Sequence, residues 1–141
     1  LDYIIGRYQE YAAFAADHGF RIGPETHWGP SLNPAMQRAV YEGVNHPAYG
    51  ILLHVGHWMA GQEDFGDAMA APWAIHTHLD ARITRHCLEE KVRLLLEAGY
   101  TGYWGVEHHS AQHEYAEVAY QLAEVRRCLT KLAEEYPALR G

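Results

Sequence analysis

Four groups of carboxylate and imidazole side chains stand at, or just past, the ends of short apolar runs: Glu25-Thr26-His27, His54-Val55-Gly56-His57, His76-Thr77-His78 and Glu107-His108-His109. Imidazole and carboxylate are the usual ligands of borderline divalent metals. Placed at the exits of successive strands, they can build one metal site from several strands of a sheet. Glu25 can ligate a metal or accept a proton from a substrate. Gly56 lets the chain bend as it leaves its strand, and the three-residue spacing can turn His54 and His57 toward one pocket. His76 and His78 lie two apart on a strand and so share a face. His78, nearer the exit, is the better ligand, whereas His76 reads as a buried structural imidazole. Glu107 ends an apolar strand, a costly place for a carboxylate unless it is paired or bound to metal. Around these groups, His27 and Trp28 would wall the site and Arg82 would clamp a substrate oxygen. His108 and His109 would orient the ligands.

Positioning such groups takes alternating strands and helices. Ile5, Tyr8, Ala12 and Ala15 share a helical face, which predicts a helix over residues 1–17 closed by Gly19. A strand is expected over 20–25, then a helix over 34–44 with Pro34 in its first turn. The apolar run 49–53 has the character of a strand buried on both faces. A helix over 63–71, a strand over 73–79, a helix over 87–98, a strand over 103–107 and a helix over 112–135 complete the series. In the last helix Val118, Leu122, Val125, Leu129 and Leu132 form the expected core stripe. Four strand–helix alternations predict an α/β chain with a parallel sheet, either a small open sheet or half of a (β/α)8 barrel. A flat sheet would spread its strands about 4.8 Å apart in a line, so four ligands converging on one ion favour the half-barrel.

The composition narrows the partners. A chain of 141 residues, 48% hydrophobic and 21% charged, is the size and character of one globular domain. Its formal charge of -7 would repel a phosphate backbone, which argues against nucleic acid. Cys87 and Cys128 form no CxxC pair and read as two thiols in a reducing compartment. No apolar stretch approaches the ~20 residues that span a bilayer, and the start carries no signal-peptide pattern, so a cytoplasmic location is expected. The chain begins at Leu1 inside a helical pattern, so residues 1–141 are expected to be a fragment with an upstream portion.

The strand end Pro24-Glu25-Thr26-His27, the run Gly50-Ile-Leu-Leu-His54-Val-Gly-His57, the run Ile75-His76-Thr-His78-Leu-Asp80 and the strand Gly99-Tyr-Thr-Gly-Tyr-Trp-Gly-Val-Glu107 together resemble the second half of the xylose isomerase-like TIM barrels. This superfamily includes sugar-phosphate isomerases, ketose epimerases and endonuclease IV proteins. The resemblance runs from about Gly19 to Glu107. It implies the C-terminal half of a (β/α)8 barrel, with four strands and flanking helices, holding one divalent metal on Glu25, His54, His78 and Glu107. It also implies that His57 and, more loosely, Arg82 contact substrate. His54 stands where the family usually has the aspartate of a DxxH motif, which removes one negative charge.

The activity implied is a metal-dependent isomerisation or epimerisation of a sugar or sugar phosphate, through an enediolate, with Glu25 and Glu107 as acid and base. Two imidazoles and two carboxylates suit Mn, Co, Fe or Zn better than Mg, which prefers oxygen. One alternative is an endonuclease IV-like nuclease, but its further Asp-x-His pair is missing between Asp80 and Leu88. Another is a non-catalytic half-barrel that binds a ligand. Four βα units cannot close a barrel, so a missing N-terminal half or a homo-oligomer is expected as partner to a small carbohydrate substrate.

Overall fold

The computed structural model describes residues 1–108, 110 and 112–137. The order is α1 (Asp2–Asp17), α2 (Pro34–Val44), β1 (Ile51–His54), α3 (Glu63–Ala70), β2 (Ala74–Leu79), α4 (Ala81–His86), α5 (Leu88–Glu97), β3 (Trp104–Val106) and α6 (Glu114–Leu132). The three strands form a parallel sheet in the order β1-β2-β3. Asn33 starts α2 by accepting hydrogen bonds from the backbone of Ala35 and Met36, with Pro34 in the first turn where no N–H is needed.

The strand expected over 20–25 is not a continuous ladder. It runs parallel to β1 through isolated bridges, Ile22 to Tyr49 and Glu25 to Leu52. Ile22 N donates to Ala48 O, Gly50 N to Ile22 O, Leu52 N to Pro24 O and Thr26 N to Leu52 O. The missing rung is the N–H that Pro24 does not have. Among the described residues the structure therefore shows three strands and an interrupted edge segment where the sequence predicts four strands.

Two further expectations change. Residues 81–86, which lie between the strand and the helix that the sequence predicts, form α4: the Asp80 carboxylate accepts the Ile83 N–H at 2.8 Å, an N-cap that starts a turn of helix. In α6 the buried positions are Gln121, Val125, Cys128 and Leu132. Leu122, expected in the core stripe, is exposed. The helix is rotated so that Gln121 faces inward. With its amide oriented to donate, Gln121 reaches the carbonyls of Glu107 (3.1 Å) and Leu79 (3.2 Å), tying α6 to the ends of β2 and β3.

The main core joins Ile51, Leu53 and Val55 to Leu79, Ile83, Val92, Leu95, Val125 and Leu132. A smaller cluster of Ala12, Val40, Val44 and Tyr49 seats α1 and α2 against the edge segment. Among the described residues, no helix is long and apolar enough to cross a membrane.

Candidate metal centre

The register decides which side chains share a face. Glu25 pairs with Leu52, His54 with His78, and His78 with Gly105. Side chains alternate with period two along a strand. His54 is two past Leu52 and Glu107 is two past Gly105, so Glu25, His54, His78 and Glu107 all project to one face at the carboxyl end of the sheet.

They also converge. One ligand atom from each of the four lies within 4.8 Å of the others. His78 Nδ1 is 2.9 Å from Glu25 Oε1 and 2.9 Å from Glu107 Oε2. His54 Nδ1 is 3.3 Å from each of the same two oxygens. The outer segments are three strand spacings apart, about 14 Å in a flat sheet, so the strand ends must curl toward each other and the longer glutamates reach inward over the imidazoles.

These distances fit an ion. Ligand bonds of about 2.0–2.2 Å put neighbouring ligand atoms roughly 2.9–3.5 Å apart in octahedral or tetrahedral geometry. Hydrogen bonds alone serve the arrangement less well. Each Nδ1 carries at most one hydrogen, so two rings can fill only two of the four nitrogen–oxygen contacts. The residues present therefore fit a divalent metal.

The surroundings keep the donors in ligand form. Burial pushes the Glu25 carboxyl up, but hydrogen bonds from His78 and His54 outweigh it and hold the group below the usual carboxylate range. His54 is 1% exposed. Its burial pulls the imidazole down toward the neutral form, against the hydrogen bond it makes to Glu25. Thr26, fully buried, clamps the end of β1: its hydroxyl accepts from His54 N at 2.9 Å and donates to His54 O. Gly105 is required beside His78. A Cβ there would lie 2.6 Å from Thr77 O and press on the His76 and His78 rings.

The remaining residues singled out from the sequence fall into different places. His27 Nδ1 lies 3.3 Å from Glu25 Oε1, which makes His27 part of the donor cluster rather than only a wall. Trp28 is 75% exposed. His57 sits beside His54, ring centroids 4.6 Å apart. His76 packs edge-on to His78 at 5.5 Å, and burial, then the nearby His78, lowers its imidazole. Arg82 lies on α4 and donates to Gly56 O at 2.9 Å. It lines a cleft of about 430 Å³ with Asp80, Arg85, His108, His113 and Glu117. His108 Nε2 turns to Ser110 Oγ and Gln112 O, and His109 lies outside the described residues. Sequence reasoning missed Thr26 and Gln121, whose polar side chains act through backbone groups distant in sequence. No protein-family model and no curated protein matches this chain.

Proposed function

We propose that this chain is the C-terminal half of a xylose isomerase-like (β/α)8 barrel, and that the complete barrel is a metal-dependent isomerase or epimerase of a small carbohydrate. The observation that carries the reading is the convergence of Glu25, His54, His78 and Glu107 within 4.8 Å. It occurs at the carboxyl ends of parallel strands, where α/β barrels keep their reactive groups. The edge segment at 22–25 and β3 are the edges along which further strands would pair.

A bound Mn, Co, Fe or Zn ion would lower the cost of negative charge developing on the substrate's carbonyl and hydroxyl oxygens. The chain's own groups supply the rest. Glu25, held below the usual carboxylate range, is in the form that accepts a proton from the carbon beside a carbonyl. Glu107, on the opposite side of the cluster, would take a proton from solvent and return it to the neighbouring carbon, while Glu25 would release the abstracted proton to solvent. His54, neutral and buried, keeps a nitrogen lone pair available. Arg82 has one guanidinium nitrogen on Gly56 O, which leaves its other N–H groups for a substrate oxygen.

Solvent exchange tests the reading. The complete barrel, this chain together with the half that closes it, is loaded with metal and incubated in D2O with a panel of aldoses, ketoses and their phosphate esters, and deuterium at the carbon next to the carbonyl is followed by NMR. Wild type should exchange at least one of them. Glu107→Gln, with an unchanged circular dichroism spectrum, should lose about 10²-fold or more of the rate. Full exchange in that variant, or none with any sugar in wild type, rejects the proposal.

A further inference from the structure

A second set of donors lies beside the first. His27, His54 and His57 each present one ring nitrogen, and the three nitrogens lie within 4.8 Å of one another. The rings of His27 and His57 meet edge-on at 5.3 Å, His54 and His57 at 4.6 Å, and His27 and His54 at 5.8 Å. The trio is assembled by the turn after β1, where Gly56 takes φ +70, a conformation that glycine adopts without strain. That turn brings His57 back over His54 and against the segment after Glu25. His57 Nδ1 is buried and makes no hydrogen bond to the described residues. A buried polar atom without a partner is costly, and ligation removes that cost.

We infer that His27, His54 and His57 form a second metal site that takes Zn²⁺ or Cu²⁺, so that His54 is shared between two ions. Three imidazole donors favour these ions over Mn²⁺ and Mg²⁺, which prefer oxygen. Three protein ligands also leave a fourth position open, as in zinc sites that hold a water or a substrate atom. A ring serving two ions binds through both of its nitrogens and gives up its ring proton to solvent. Histidine at position 54 is suited to this role because its two donor atoms face opposite ways. The site stands on its own donors and does not depend on the reaction proposed above.

The test is a count of ions. Metal-free protein is equilibrated with Zn²⁺, dialysed, and assayed for zinc per chain by elemental analysis. Wild type should hold two. His27→Gln/His57→Gln should hold one, and so should Glu25→Gln/Glu107→Gln, which keeps the imidazole trio. In the latter variant Cu²⁺ should show nitrogen hyperfine structure in electron paramagnetic resonance. One zinc in wild type, or two retained in His27→Gln/His57→Gln, overturns the inference. If that double variant fails to fold by circular dichroism, His57→Asn alone carries the decision: a fall from two to one supports the site and two retained overturns it. Two ions without deuterium exchange would keep this inference and reject the isomerase reading, and exchange with one ion would do the reverse.

Discussion

Two polar clusters meet at the end of β1, and they treat their carboxylates in opposite ways. Asp67 is fully buried. One of its oxygens accepts from Gly56 N at 2.8 Å and Trp58 Nε1 at 2.9 Å, and the other lies 2.9 Å from Lys91 Nζ. Burial pulls the Lys91 ammonium down, but hydrogen bonds to Asp64 and Asp67 outweigh it and push it up to about 12. Glu25 instead meets three imidazoles, His27, His54 and His78, and Glu107 shares the last two. An imidazole is a cation only when protonated, and burial disfavours that form at His54. A permanent ammonium closes the first cluster, whereas the second gathers acceptor groups in the geometry that an incoming cation requires. The difference separates a carboxylate used to hold the fold from carboxylates used to hold a ligand.

The largest expected effect breaks the closed cluster. Lys91→Met leaves Asp67 buried without its ammonium, and removing one partner of such a pair costs about 3–5 kcal/mol. Urea denaturation should show that loss equally with and without metal. A loss under about 1 kcal/mol would mean that Asp67 is satisfied by its N–H donors alone.

The open cluster should behave in the reverse sense. Mn²⁺ at 100 times its Kd should raise wild-type stability by about 2.7 kcal/mol, read as an increase in Tm. Glu25→Gln/Glu107→Gln should lose this increment. Without metal the same variant should lose no more than about 1 kcal/mol near pH 7, because the hydrogen bonds that hold the Glu25 carboxyl low go to imidazoles and not to a permanent cation. A metal-free loss of about 3 kcal/mol or more would place the glutamates in the structural class with Asp67.

Acid and base should separate the clusters with the smallest effect. The lowered His54 binds its proton later than the unfolded chain does, so metal-free stability should fall as pH drops below about 6.5, the ordinary imidazole value. Glu25, also lowered, adds stability that is present above about pH 4.3 and is lost as the pH falls further. The raised Lys91 acts on the other side: its contribution is whole below about pH 10.4 and is lost as pH rises through about 12. Thermal melts of the metal-free protein from pH 5 to 8 check the acid limb. A Tm that rises on acidification would break the contrast.

Much of the site could be read from residue order. Glu25, His54, His78 and Glu107 each follow an apolar run, and period-two alternation already places His76 and His78 on one face. The helices were legible where one apolar stripe dominates, as in α5 with Leu88, Val92 and Leu95 buried. In α6 two stripes compete, and the polar Gln121 wins the inward position because it satisfies carbonyls at the ends of β2 and β3. The continuous strand expected at 20–25 failed at one atom, the hydrogen that Pro24 lacks. Lys91 and Asp67 gave no signal, since their pairing joins helices α5 and α3 across 24 residues.

The sequence by itself determined the donor types, their places at strand ends and, through strand alternation, the face they share. Only the tertiary structure decided which donors meet. Glu25 and His78 are 53 residues apart in the chain, and their 2.9 Å contact depends on the strand register and the curl of the strand ends, quantities that no local spacing encodes. The same packing drew His27 into the cluster, because a side chain's distance to a partner across the sheet is set by the backbones that carry both.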